Sequence, residues 1–154
     1  MTSQMTSHAT PAATSTDLDA LNERFVAMWN EPDATSRRTM IRDLWAHDGV
    51  QILADPPEAS RAQAADLGFA PPSFEVHGHD AIEVRVARAH EMFVGTGEFR
   101  FQAARPADEL MPGVVVFRWE MVATADGSHV GGGLDVIDLD GEGRIRRDYQ
   151  FIER

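Results

Sequence analysis

The chain contains no cysteine, so disulfide bonds, thiol catalysis and zinc–thiolate sites are excluded. It has no apolar run of about 18 residues, so the sequence predicts no membrane-spanning helix. Basic residues are also scarce, since 14 Lys and Arg stand against 25 Asp and Glu and leave a net charge of −11. Nucleic acids and anionic membranes require a basic surface, so neither is expected as a partner.

The N-terminal segment, residues 1–16, is rich in Ser, Thr and Ala and poor in large apolar side chains. It lacks the basic start and apolar run of a signal peptide. We therefore expect a disordered tail in a cytoplasmic protein, followed by a single domain over residues 17–154.

Helical periodicity dominates the first half of that domain. A helix is predicted from Asp17 to Asn30, a second after the N-cap Asp33, and a third from about Asp80 to Phe93. Between the second and third, paired prolines enclose residues 55–73, in which Ala-rich residues 58–67 predict a short helix. This insertion is interpreted as a helical flap.

After residue 98 the pattern changes to period two. Strands are predicted over residues 99–103, 114–123, 129–139 and 144–152, after two shorter ones at 50–53 and 74–77. Helices first and a meander of strands second is typical of an α+β fold with an antiparallel sheet.

Four phrases of the sequence, at residues 24–30, 44–49, 77–82 and 141–145, resemble the SnoaL-like polyketide cyclase and ketosteroid isomerase group of the nuclear transport factor 2-like (NTF2-like) superfamily. The resemblance implies a cone-shaped, curved antiparallel sheet wrapped around three N-terminal helices, with a pocket for a small apolar molecule between them. It also implies a homodimer formed through the outer face of the sheet.

Ketosteroid isomerases carry a tyrosine, an aspartate base and a protonated aspartate in this pocket. By resemblance the tyrosine position is Phe25, the base position is Leu53 or, with a two-residue insertion, Asp55, and the third position is Asp135. Only one of the three is clearly retained, which argues against steroid isomerisation.

The predicted hairpins set a strand register. A two-residue turn at Asp126-Gly127 places Arg118 opposite Asp135 and Glu120 opposite Gly133, and the next turn places Asp135 opposite Asp148. Arg118, Glu120, Asp135 and Asp148 would then share one face, where crowded carboxyls should have divergent pKa values suited to acid/base catalysis. The competing interpretation is a structural salt-bridge network.

Two phrases in these strands, Arg118-Trp119-Glu120 and Arg147-Asp148-Tyr149, resemble motifs of limonene epoxide hydrolase. The resemblance implies Asp148 as base, Glu120 as acid and Arg118 between them. The positions of that family's water-holding tyrosine and asparagine are occupied by Val50 and Ile52.

The opposite strand face is the more apolar, with Phe117, Trp119, Met121, Tyr149 and Phe151. It is assigned to the homodimer interface, although it could instead be the core. We expect the pocket wall to include Phe25, Trp29, His90, Gln150 and either Leu53 or Asp55, with no cofactor or metal. The sequence leaves three functions open: an acid/base isomerase, cyclase or hydrolase, a non-catalytic binding module, and a dimeric scaffold.

Overall fold

The structure, a computed structural model, describes residues 15–54, 58–68 and 74–153. Most of the predicted tail lies outside these residues, and the first helix begins at Ser15 rather than Asp17. The described part of the chain contains four helices, one π-helical turn and seven strands. In chain order these are α1 (Ser15–Asn30), α2 (Ala34–Leu44), β1 (Trp45–Ala54), α3 (Glu58–Asp66), β2 (Phe74–His77), α4 (Gly78–Ala89), the π turn (His90–Val94), β3 (Phe99–Ala103), β4 (Asp108–Met111), β5 (Val114–Ala123), β6 (His129–Leu139) and β7 (Ile145–Ile152).

The strands form one curved sheet in the order β2-β1-β7-β6-β5-β3, with β4 pairing to β5 outside that path. All neighbours are antiparallel except β1 and β7, which run parallel. The prediction of an entirely antiparallel sheet is therefore wrong at this pair. Strand periodicity fixes which residues are extended, but it does not reveal which distant strand becomes the neighbour.

The helices cover the concave face of the sheet and enclose the core with it. Phe25 of α1 packs on Phe117 of β5 with ring centroids 5.5 Å apart. Trp45, at the junction of α2 and β1, is fully buried. Burial of a side chain such as Phe25 contributes roughly 1.5–3 kcal/mol, so this helix–sheet interface stabilises the fold.

Side-chain hydrogen bonds position the start of α2 and the end of α1. The Ser36 backbone N–H donates to the Asp33 carboxylate at 2.8 Å, as expected for an N-cap of α2. At the end of α1, the Asn30 side chain donates to the Phe101 carbonyl at 2.7 Å and accepts from the Phe101 N–H at 2.9 Å. This pair of bonds fixes α1 against edge strand β3.

Both hairpins of the meander contain a register shift. Between β5 and β6, Met121 pairs with Gly131 but Val122 pairs with His129, so Val130 is an extra residue in a bulge. Arg118 therefore pairs with Leu134 and Glu120 with Gly132, one residue away from the predicted partners. A shift of one residue reverses the face, so the predicted facing of Arg118 and Glu120 relative to Asp135 is wrong.

The second shift, between β6 and β7, leaves Arg146 as the extra residue. Asp135 pairs with Gln150 and Asp148 with Ile137, two residues from the predicted register. A shift of two residues preserves facing. Asp135 and Asp148 therefore share the concave face as diagonal neighbours, while the predicted direct opposition does not occur.

Candidate active site

A cavity of about 240 Å³ lies between the helices and the concave face of the sheet. Aromatic and aliphatic side chains dominate its wall, and its few polar groups come from α3, α4, the last strand and the residue that follows that strand. The aromatic wall residues are Phe25, Trp29, Phe93, Phe101 and Trp119, and the polar ones are Ser60, Gln63, Arg85, Gln150 and Glu153. This composition is typical of a site for a small, mainly apolar molecule.

The predicted wall residues are placed as follows. Phe25, Trp29 and Gln150 line the cavity. Leu53 is buried in the hydrophobic core and is not part of the wall, and Asp55 lies outside the described residues. His90 opens the π turn, where burial lowers the pKa of its imidazole, and its neighbours Met92 and Phe93 reach the cavity instead.

The aspartate pair lies directly behind this wall. Asp135 and Asp148 are both fully buried. The Trp119 indole N–H donates to Asp135 Oδ1 at 3.2 Å, and the Gln150 amide lies 3.4 Å from Asp135 Oδ2. The Gln51 amide donates to Asp148 Oδ2 at 2.9 Å, while Asp148 Oδ1 has no protein partner among the described residues. Cavity-lining Trp119 and Gln150 therefore stand between the pair and the cavity.

Burial controls the ionisation of this pair. Desolvation raises the pKa of Asp148 to about 7. Desolvation, and then repulsion from Asp148, raises the pKa of Asp135 well above its ordinary value. Two buried carboxyls that repel each other cannot both ionise cheaply. Burial and mutual repulsion therefore favour a protonated carboxyl in this pair, which is the state required of a general acid.

Arg85 of α4 is the charged and buried wall residue that the sequence reasoning missed, together with the polar wall residues Ser60, Gln63 and Glu153. It is 6% exposed, and its guanidinium lies over the rings of Trp29 and Phe74, at 5.3 and 5.1 Å from their centroids. Desolvation lowers its pKa to about 10, against the attraction of Asp135 and Asp148. The available signal was helical spacing, since Arg85 falls on the apolar stripe of Ile82, Val86 and Ala89.

The other two predicted catalytic residues lie on the convex face, away from the cavity. Arg118 donates to the Asp108 carboxylate of β4 at 2.7 Å. Glu120 accepts from the Gln102 amide at 2.6 Å and lies 3.1 Å from the His129 ring. Their contacts are those of an ion-pair network on the convex sheet face, as in the competing interpretation of the sequence. The structure does not bring them to Asp135 and Asp148.

The inserted helix α3 forms one side of the cavity. Ala59, Ser60 and Gln63 contribute to the wall, and the Gln63 amide contacts the Met92 sulfur of the π turn at 2.9 Å. An exposed ion pair of 3.1 Å joins Asp66 of α3 to Arg88 of α4. The predicted flap is therefore part of the cavity wall.

No group of three or more His, Asp or Glu side chains in the described ranges is arranged to hold a metal ion. None of the described helices is long and apolar enough to cross a membrane.

Solved structures provide the comparison that places the fold. A candidate isomerase of the SnoaL-like family from Agrobacterium tumefaciens superposes with a TM-score of 0.67 at 24% identity, covering 88% of this chain and 96% of that one. An NTF2-like protein of unknown function from Exiguobacterium gives 0.58 at 17%, covering 86% and 98%. A SnoaL-like protein of unknown function from Burkholderia thailandensis gives 0.57 at 13%, covering 88% and 97%. The fold is that of the SnoaL-like and NTF2-like proteins.

Searches with sequence models of protein families and against curated protein sequences found no match. At these identities the superposed SnoaL-like structures establish architecture, and activity must be argued from the site. In this SnoaL-like fold the site consists of an aromatic cavity, one buried guanidinium in its wall and a buried carboxyl pair behind the wall.

Proposed function

We propose that this chain is a small-molecule pocket protein of the SnoaL-like type, which binds a compact and mainly apolar ligand. The observation that carries the proposal is the partly open aromatic cavity with a few convergent polar groups, Arg85 and Gln150 among them. Pockets of this composition are the usual sites for small ligands. At about 240 Å³ the cavity falls below the roughly 300 Å³ where drug-sized sites begin, so a small ligand is favoured.

Tryptophan fluorescence tests the proposal directly, because Trp29 and Trp119 line the cavity. The probe is 4-phenyl-2-butanone, which has one aromatic ring and one carbonyl. We expect saturable quenching and an increase in melting temperature with probe concentration, since a ligand that binds only the folded state stabilises it.

A matched pair of variants separates cavity binding from adsorption elsewhere. Ala89→Phe places a ring inside the cavity, whereas Val84→Phe adds the same ring to an exposed position of the same helix. Binding should be lost in the first variant and retained in the second. Failure of the wild-type chain to bind either this ketone or a carboxylic acid of the same size at millimolar concentration, or equal binding by both variants, would refute the proposal.

A second candidate function, acid/base catalysis on a small carbonyl compound, is favoured by the Asp135–Asp148 pair. Its raised pKa values give a buried proton donor near neutral pH. Proton transfer to a ligand requires the Trp119 indole or the Gln150 amide to move aside, because both bond to Asp135 from the cavity wall.

Hydrogen–deuterium exchange at the carbons next to the carbonyl of 4-phenyl-2-butanone, followed by proton NMR in heavy water, tests this second function. The wild-type chain should accelerate exchange above the buffer rate. Asp135→Asn should abolish the acceleration, whereas Asp138→Asn, on the convex face of the same strand and paired with Arg146, should keep it. Equal rates with and without the wild-type chain would leave the binding function alone.

The homodimer stays a prediction, but most of the residues first assigned to its interface must be replaced. Phe117, Trp119 and Met121 lie on the concave face, so they cannot form the interface first assigned to them. On the convex face Phe151 remains 45% exposed. Sedimentation velocity at micromolar concentration would distinguish a dimer from the 17.0 kDa chain.

A further inference from the structure

The Arg85 guanidinium is a buried cation that uses few of its donors. A guanidinium has five N–H donors, and the hydrogen bond made by Arg85 within the described residues runs from Nη2 to Gln150 Oε1 at 3.4 Å. Nε is buried without a partner. Leaving buried charged donors unsatisfied is unfavourable, so the site is electrostatically incomplete without a further acceptor.

Aromatic rings hold this cation in place without consuming its donors. Trp29 and Phe74 both present their rings to the guanidinium carbon within 5.3 Å. Such contacts stabilise a desolvated cation through the ring quadrupole. Arg85 is therefore fixed in the cavity wall, and most of its N–H donors make no hydrogen bond to the described residues.

Acidic groups nearby do not complete the site. No carboxylate of the described residues lies within 4.0 Å of the Arg85 guanidinium. Asp135 and Asp148 attract it at longer range, and burial raises the pKa of both carboxyls, which disfavours their charged forms. Glu153, the acidic residue of the wall, has a side chain that is 57% exposed and lies by His129.

We propose, building on the function proposed above, that the ligand is a monocarboxylate with an apolar body whose carboxylate pairs with Arg85. The planar fork of a guanidinium matches the two oxygens of a carboxylate. The remaining wall is aromatic and aliphatic and suits a ring or short hydrocarbon chain. The ligand class is therefore that of small aryl-alkyl or alicyclic carboxylic acids.

The test compares two probes of equal size, 3-phenylpropanoate and 4-phenyl-2-butanone, which share the phenylethyl body and differ in a carboxylate against a methyl ketone. Affinities are measured by titration calorimetry at pH 6 with the full chain. The carboxylate should bind at least about tenfold more tightly, because charge-assisted hydrogen bonds to a buried cation are strong.

Variants assign the preference to Arg85. Arg85→Met should remove the preference while retaining ketone binding, and Arg85→Lys should retain part of it, because the charge remains without the planar fork. Arg42→Met removes the same charge from an exposed position of α2 and should change neither affinity. Near-ultraviolet circular dichroism verifies that each variant is folded.

The outcomes separate the two proposals. Ketone binding without any carboxylate preference in the wild-type chain would overturn the carboxylate assignment and leave the cavity function standing. A preference that survives in folded Arg85→Met would overturn it as well. If neither probe binds at millimolar concentration, both proposals fail. The wild-type comparison decides the matter even if Arg85→Met does not fold.

Discussion

Gln150 lies directly opposite Asp135 in the β6–β7 pair, and its side-chain amide connects the aspartate pair to the buried cation. The amide nitrogen lies 3.4 Å from Asp135 Oδ2, while the amide oxygen lies 3.4 Å from Arg85 Nη2. An amide can donate at one end and accept at the other. Gln150 is therefore the polar link through which a change of charge at the cavity wall reaches the carboxyls behind it.

Stability should fall as pH rises through the titration of the aspartate pair. The folded pKa of Asp148 is about 7 and that of Asp135 is also raised, against roughly 3.9 in the unfolded chain. The folded state therefore binds more protons between about pH 4 and pH 7, so stabilisation present below pH 4 is lost across this window, at up to about 1.4 kcal/mol per pH unit and carboxyl. Thermal unfolding between pH 4.5 and 8 measures this slope.

Controls for this pH profile follow from two histidines whose pKa values are also shifted. Burial lowers the pKa of His90, which opposes the slope. Hydrogen bonding to Glu120 raises the pKa of His129, which contributes a loss of stability with rising pH in the same direction. His129→Asn should therefore remove only a small part of the slope, whereas Asp148→Asn should remove a larger part and leave the contribution of buried Asp135. A flat wild-type profile would contradict the raised pKa values.

Carboxylate binding should itself depend on pH. An anion paired with Arg85 disfavours the ionised state of Asp148, whose pKa is about 7, so binding should be accompanied by proton uptake and weaken between pH 6 and 8. Calorimetry of 3-phenylpropanoate in two buffers with different ionisation enthalpies measures the uptake. 4-Phenyl-2-butanone is the control, together with His90→Asn and Glu153→Gln, which remove the other titratable groups near the cavity. Equal proton uptake for both probes would contradict the prediction.

Gly133→Ala should displace the Trp119 indole. A Cβ at Gly133 would lie 2.3 Å from the Phe151 carbonyl oxygen and 2.7 Å from Trp119 Cζ2. Such overpacking typically costs about 1–3 kcal/mol, and it should change the Trp119 fluorescence by disturbing its bond to Asp135. Gly131→Ala, two residues away in the same strand, meets nothing within 4 Å and should be nearly neutral. Similar effects of the two substitutions on urea unfolding would rule out a steric cause.

Asn30→Ala should loosen α1 from the edge strand. It removes the two bonds to the Phe101 backbone, at 2.7 and 2.9 Å, and should cost about 1–3 kcal/mol because partly buried backbone groups lose their partner. Amide hydrogen exchange should rise at Phe101 in particular. Asn30→Asp is the matched control, since a carboxylate can still accept from the Phe101 N–H. Unchanged exchange at Phe101 in Asn30→Ala would contradict this role.

Sequence reasoning located the elements well because each depends on local physics. β3, β5 and β6 have the predicted bounds, and Asp33 caps α2 as expected. The sheet face on which each side chain lies was harder to predict, because it depends on whether the number of residues in each hairpin is odd or even. The predicted β6–β7 register was wrong by two residues, which still left Asp135 and Asp148 on one face. The predicted β5–β6 register was wrong by one residue, so Phe117 and not Arg118 pairs with Asp135.

Arg85 escaped prediction for a different reason. A single basic residue in an apolar helical stripe is normally interpreted as a side chain that extends to solvent. Its burial depends on rings from α1 and β2, which are distant in sequence. No local sequence pattern predicts such a contact, so the buried Arg85 guanidinium, on which the proposed ligand chemistry depends, could be found only in the three-dimensional structure.

The extra residue at Val130 limits which insertions and deletions the β5–β6 hairpin can tolerate. β5 carries Phe117, Trp119 and Met121 on one face and Arg118 and Glu120 on the other, and the number of residues in the following hairpin selects which face lines the cavity. Loss of one residue there would do more damage than many point substitutions, whereas paired insertions or deletions would leave the cavity intact. At 13–24% identity to the superposed proteins, a gap placed one residue away in this hairpin would align cavity residues with exterior ones.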